Sequence, residues 1–173
     1  MSRQHPNPFD APGLLERPTV LLGAGLALSA GAFAVAVIAQ HGFGLMPCPW
    51  CILQRVIFLA IALACLLGLV WRAVAGRVLA AVLTLLLGAG GVAAALWQHL
   101  VASKSNSCNL TLADKIVMSM KLDTTFPALF EPKASCADAA VAILGISMDI
   151  WSLILHLLLM LGAIALLRTA RQR

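Results

Sequence analysis

Four stretches of apolar sequence limit what this chain can fold into more than any other feature. They run from about Thr19 to Gln40, Pro49 to Trp71, Val78 to Leu100 and Ser147 to Leu167. Each holds about 21 to 23 residues, the length a helix needs to cross ~30 Å of hydrocarbon at about 1.5 Å per residue. Lipid offers the backbone no hydrogen bonds, so every amide must be paired within its own segment and helix is the expected form. The glycines of the first and third stretches (Gly23, Gly25, Gly31; Gly88, Gly90, Gly91) would weaken soluble helices. In a membrane bundle they let backbones approach closely. The expected fold is all-α, a four-transmembrane-helix bundle forming one integral membrane domain over residues 1–173, with outer loops at 41–48 and 101–146.

Composition agrees: 61% of residues are hydrophobic and 11% charged, against about 25% charged in soluble chains. The net charge of +5 does not mark a nucleic-acid binder, because no basic run is interleaved with aromatics. The arginines instead collect at the ends of apolar stretches. Arg3, Arg17, Arg72, Arg77, Arg168, Arg171 and Arg173 share one side of the membrane with Asp10 and Glu16, a net of +5. Lys104, Lys115, Lys121 and Lys133 fall on the other side with five carboxylates, a net of −1. Short basic loops stay cytoplasmic, so both termini are expected in the cytoplasm and the 101–146 loop outside. A cleaved signal peptide is the alternative for the first stretch. Its apolar run exceeds the roughly 7–15 residues of a signal core, and cleavage would put Arg72 and Arg77 out of step with the basic tail.

The long loop carries order of its own. Thr111-Leu112-Ala113-Asp114 reads as a capping box, and Leu112, Ile116 and Met120 recur every four residues after it. This predicts a short amphipathic helix, lying on the membrane surface or packed on the spans.

Of five cysteines, Cys48 and Cys51 open the second stretch, Cys108 and Cys136 lie in the long loop, and Cys65 is deep in an apolar span. An outer, oxidising compartment is where disulfides persist. Two pairs and one buried thiol follow, with Cys65 a small core hydrophobe. The Cys48-Pro49-Trp50-Cys51 spacing serves redox disulfides and metal sites alike. A closed zinc site needs four good ligands, and Cys108 and Cys136, with 27 residues between them, lack a matching knuckle. No metal site is therefore expected. A purely structural staple gains little from closing so small a ring.

Position favours redox chemistry. Pro47 and Pro49 suit a helix start, which puts Cys51 in the first turn, where the positive end of the helix dipole favours a thiolate. Arg55 lies one turn deeper on the same face. An arginine inside a span is costly and by default marks a functional site; the alternative is a side chain that snorkels to the interface. Beside a thiolate, its fixed charge would polarise an oxidant arriving from the lipid.

The string Cys48-Pro49-Trp50-Cys51-Ile52-Leu53-Gln54-Arg55 resembles the signature of the disulfide bond formation protein B (DsbB) family. Further echoes are Trp97-Gln98 before Cys108, Ala134-Ser135-Cys136-Ala137-Asp138, and the Gly145–Ser152 run into the fourth span. In that family the relay from thiol oxidase to quinone keeps the periplasm oxidising. The resemblance implies that a Cys108–Cys136 disulfide accepts attack by a reduced periplasmic thioredoxin-like dithiol oxidase (DsbA-like), with Cys108 forming the mixed disulfide. Electrons would pass to Cys48 and Cys51, and Cys51 as thiolate would meet a bound quinone, ubiquinone or menaquinone, near Arg55. Partners would then be the dithiol oxidase, the quinone pool and the bilayer, with no nucleic acid.

Family members often carry a basic residue or histidine just before the Trp-Gln element, near the quinone. Here Gly91–Leu96 offer nothing basic and His99 follows instead, as candidate quinone neighbour or interfacial filler. His156, mid-span in the fourth stretch, is expected to hydrogen-bond between helices or to relay a proton. Trp50, Trp71, Trp97 and Trp151 fall near span ends, as interfacial anchors do. Vitamin-K-epoxide-reductase-like proteins are also similar in parts, but their loop pair usually precedes the C-x-x-C. The non-catalytic rival is a membrane scaffold or metal-handling protein that uses the outward cysteines as ligands.

Overall fold

The computed structural model describes residues 17–104 and 111–171. These residues form the expected all-α bundle. In chain order, α1 (Pro18–Phe43), α2 (Pro49–Val70) and α3 (Val74–Leu100) are joined by short turns. The long loop after α3 then carries α4 (Leu112–Ser119), α5 (Leu122–Thr125), α6 (Pro127–Phe130) and a two-stranded hairpin, β1 (Ala142–Ile143) with β2 (Ile146–Ser147), before α7 (Met148–Arg171). Among the described residues, α1, α2, α3 and α7 are the helices long and apolar enough to cross a membrane.

Local chemistry sets the helix ends. Pro18 and Pro49 occupy first-turn positions, where proline's missing N–H costs no helical bond. α1 continues past Gln40 to Phe43 and stops at Gly44, which adopts the left-handed conformation (φ 68°) and returns its N–H to Ala39 O. That is the favoured glycine stop. α3 begins at Val74, four residues before its apolar stretch, because a helix need not end at the hydrocarbon edge.

α2 is the central helix, with 56% of its apolar window buried; α1 is the peripheral one, at 11%. In lipid the helices are drawn together by packing and polar contacts rather than by water exclusion, so close approach matters. Part of the glycine set provides it. A Cβ on Gly25 would lie 2.9 Å from Cys65 Sγ, one on Gly68 2.8 Å from Ala80 Cβ, and one on Gly88 2.7 Å from Met160 Cγ. Gly91 is notched against the His156 ring. Gly23, Gly31 and Gly90 face open space, so the expectation of close approach does not extend to them.

The capping box at α4 is present: Asp114 N donates to Thr111 Oγ1, and Thr111 N donates to Asp114 Oδ2. The helix packs on α2, but through Ala113 and Val117, both buried. Leu112 and Met120, two of the three residues in the expected apolar row, are exposed. The row was offset because Val117 joins Ile52 and Phe130 in a small apolar cluster under the loop, a contact that local periodicity does not reveal. The hairpin, not foreseen, turns on Leu144 and Gly145, both at positive φ, as a two-residue connection requires. Further back, Lys133 and Ala134 donate their amides to Pro47 O at 2.9 and 3.3 Å. These bonds tie the second half of the loop to the start of α2.

Candidate functional site

Cys48 is the N-cap of α2, and its sulfur accepts the Cys51 amide N–H at 3.3 Å. The sulfur thus takes the place of the oxygen that usually caps a helix. Cys51 sits in the first turn, with its Sγ 2.8 Å from Cys48 Sγ. The loop that pairs with Pro47 delivers a third cysteine: Cys136, buried, is hydrogen-bonded to Cys48. That bond polarises the two thiols in opposite senses. Donation from Cys48 holds Cys136 below the ordinary thiol range, against the opposing effect of burial. The same partner, followed by Cys51 and by burial, pushes Cys48 well above it.

Polar side chains surround Cys51 inside the apolar bundle. Gln54 Nε2 donates to Gln98 Oε1 at 2.8 Å, which orients the Gln98 amide so that its Nε2 donates to Cys51 Sγ at 3.3 Å. Arg55 is buried rather than snorkelling. Its guanidinium donates to Gln40 Oε1, to Leu129 O at 3.1 Å and to Ala36 O at 2.9 Å, joining α1, α2 and the loop. Gln40 in turn donates to Ala128 O at 3.2 Å. Arg55 Nε is buried without a hydrogen-bond partner among the described residues. Unpaired buried donors are costly, so the guanidinium is held in place at some loss of stability.

Cys51, Arg55 and Gln98 line one cavity of about 800 Å³ between α1, α2 and α7. Its remaining wall is mostly apolar, with Phe58 and Leu155 on the helices and the loop residues Ala134 and Ala139 at the end nearest Cys51. Size and lining match those of small-molecule sites, apolar with a few convergent polar groups.

The family model for disulfide bond formation protein DsbB matches residues 17–166. The chain belongs to this family. It is 36% identical over 151 residues to disulfide bond formation protein B of Aromatoleum aromaticum, covering 85% of this chain and 89% of that one. The protein of Ralstonia nicotianae is 32% identical, at 82% and 89% coverage. Disulfide bond formation protein B 1 of Pseudomonas savastanoi is 34% identical, at 80% of each. No solved structure matches the chain. As a member of the DsbB family it is a multi-pass membrane protein of disulfide bond formation, a disulfide oxidoreductase.

Against that family frame, Cys48, Cys51, Cys136 and Arg55 come together as one cluster, while Cys108 lies outside the described residues. His99 does not line the cavity. Its Nδ1 is 2.7 Å from Asp149 Oδ2, and Asp149 does line it. His156 corrects an expectation: it bonds within its own helix, Nδ1 to Ser152 O at 2.8 Å, and stacks on Phe58 with centroids 4.2 Å apart. A histidine pressed against Gly91 on one side and a phenyl ring on the other has no room to reach a polar group across helices. Trp50 is likewise buried, 6.3 Å from the Trp97 ring, because the loop covers the start of α2. It is a core residue rather than an interfacial anchor. Cys65 is buried, with Thr84 Oγ1 at 4.0 Å.

Sequence reasoning passed over Gln40, Gln54, Gln98 and Asp149 as site residues. Their signal was nevertheless present: uncharged amides and a carboxylate in apolar spans, where polar groups persist only with partners.

Proposed function

We propose that this chain is a membrane thiol:quinone oxidoreductase that reoxidises a periplasmic DsbA-like dithiol oxidase. It passes the electrons through two cysteine pairs to a membrane quinone, ubiquinone or menaquinone. The reading takes residues 1–173 as one inner-membrane domain with both termini cytoplasmic and the cysteines periplasmic. The observation that carries it is that Cys51 and the buried Arg55 line the same apolar cavity.

The residues fit a quinone head group. Arg55 and Gln98 supply polar groups, Phe58 and Leu155 supply apolar walls, and the α1 side of the cavity faces the lipid from which such a molecule comes. When bound, the quinone supplies a two-electron, two-proton acceptor at Cys51. The protein does the rest. Gln98 N–H, the α2 dipole and the Arg55 charge hold a sulfur anion at Cys51. Cys48, between Cys51 and Cys136, can exchange disulfide partners in either direction, since exchange needs direct sulfur–sulfur encounter. The close approach of Cys136 to Cys48 supports a hand-over from the loop pair to the helix pair. Cys108, on the remainder of the loop, is left to meet the dithiol oxidase.

The test is turnover. Purified protein with a soluble ubiquinone analogue oxidises a reduced C-x-x-C partner, and Cys48→Ser or Cys51→Ser stops quinone reduction. Undiminished turnover in either variant removes the proposal.

A further inference from the structure

Forming a disulfide from Cys51 as thiolate and Cys48 as thiol releases two electrons but a single proton. A two-electron acceptor that takes up two protons therefore needs one more from elsewhere. The cavity wall carries two carboxylates, Asp138 and Asp149, and two cations, Arg55 and Lys133. Asp138 is exposed and engaged by the Ser135 hydroxyl at 2.6 Å. Lys133 is half-exposed and paired with Glu131 at 3.6 Å. Arg55 cannot give up its proton. Asp149 differs from all three: its side chain is 10% exposed, it lines the cavity, and its Oδ2 is 2.7 Å from His99 Nδ1. The His99 side chain is 47% exposed, so the pair runs from the surface to the cavity wall.

We propose that His99 and Asp149 form a proton inlet to the cavity, with Asp149 the donor at its wall and His99 the residue that reloads it; this rests on the quinone-linked reading above. Helix ends support the pair. His99 lies in the last turn of α3 and Asp149 in the first turn of α7, so the two helix ends hold the imidazole and the carboxylate against each other. As negative charge grows in the cavity, the proton at His99 Nδ1 crosses to Asp149 Oδ2. The imidazole then takes its replacement from water. One proton from Cys48 and one through this inlet complete the balance with the two electrons of the new disulfide.

Three measurements test the proposal, with dithiothreitol as reductant and decylubiquinone as acceptor. Asp149→Asn lowers kcat for quinone reduction by about 10²-fold, the lower end of what a positioned proton donor contributes, while KM for the quinone changes little. Asp149→Glu retains most of the activity. His99→Gln, whose amide still donates to Asp149, slows kcat, and added imidazole restores it because position 99 is reachable from solvent. In quinone-free protein, imidazole nitrogen NMR finds the His99 Nδ1 proton shared with Asp149 and finds that signature lost in Asp149→Asn. An unchanged kcat in Asp149→Asn overturns the inlet, as does a His99→Gln defect that imidazole leaves in place. Failure of the wild-type protein to reduce quinone would instead overturn the reading on which the inlet rests.

Discussion

Gly91→Ala tests how tightly the bundle is built around His156. A Cβ at this position would lie 2.7 Å from His156 Cε1 and closer still to Cδ2 and Nε2. Ordinary contact begins at 3.4 Å. The ring cannot retreat, because Nδ1 is held by Ser152 O at 2.8 Å and the opposite face stacks on Phe58 at 4.2 Å. Forcing a methyl into such a site costs about 1–3 kcal/mol, offset by roughly 0.5–1 kcal/mol for removing a mid-helix glycine. The net expectation is a loss of about 1–2 kcal/mol from these two effects. Gly90, the adjacent residue on the same helix, has nothing within 4 Å of a Cβ. Gly90→Ala therefore keeps only the gain, and the two alanines should differ by about 2 kcal/mol. The assay is reversible unfolding in mixed micelles followed by helical circular dichroism. His156→Ala in the Gly91→Ala background should recover part of the loss, giving a coupling energy of about 1–2 kcal/mol in the double-mutant cycle. Equal stability of the two alanine variants, or strict additivity with His156→Ala, would refute the packing argument.

Three further outcomes follow from the site. Arg55→Lys keeps the charge but not the fork that spans Gln40, Leu129 and Ala36, so quinone reduction should fall at least about tenfold; Arg55→Met should fall further, both read as kcat/KM for the quinone. Gln98→Leu removes the N–H on the Cys51 sulfur, a bond to a charged acceptor worth about 1.5–3 kcal/mol. Single-turnover quinone reduction should slow roughly 10- to 100-fold, while exchange at the loop pair continues unchanged. In fully reduced protein, Cys136 is held below the ordinary thiol range and Cys48 above it. Raising the pH should therefore expose Cys136 to alkylation first, as mass spectrometry of quenched samples would show; the reverse order would mean the hydrogen bond between them is absent.

Much of this architecture was legible because lipid narrows the choices. A run of apolar residues long enough to cross the bilayer has one way to satisfy its backbone, so α1, α2, α3 and α7 could be read from hydropathy alone. The α4 cap was legible for a similar reason: Thr111 and Asp114 satisfy each other within one turn, needing nothing distant. What escaped depended on contacts between segments far apart in the chain. The buried side of α4 was set by Ile52 and Phe130 rather than by its own periodicity. Trp50 became core because a loop more than 80 residues later folds over it. The Leu144–Gly145 hairpin turns at a leucine, a residue type that gives no turn signal.

The site divides along the same line. Cys48, Cys51 and Arg55 lie within two turns of one helix, so their spacing alone places them together. Gln98 and Asp149 come from α3 and α7, and Cys136 from a loop that returns to Pro47. Their roles depend on how those elements converge. Chemistry explains why these distant residues are polar. A sulfur anion and a guanidinium at the end of a lipid-facing cavity cannot be hydrated, so each must find donors and acceptors on neighbouring helices. Gln98 serves the sulfur, and Gln40 and two carbonyls serve the arginine. Three of the five guanidinium N–H groups are taken by the bundle itself, which fixes the charge in place. The Arg55 charge held at the cavity wall is therefore the feature on which the proposed binding of an acceptor draws, and removing it should cost quinone affinity.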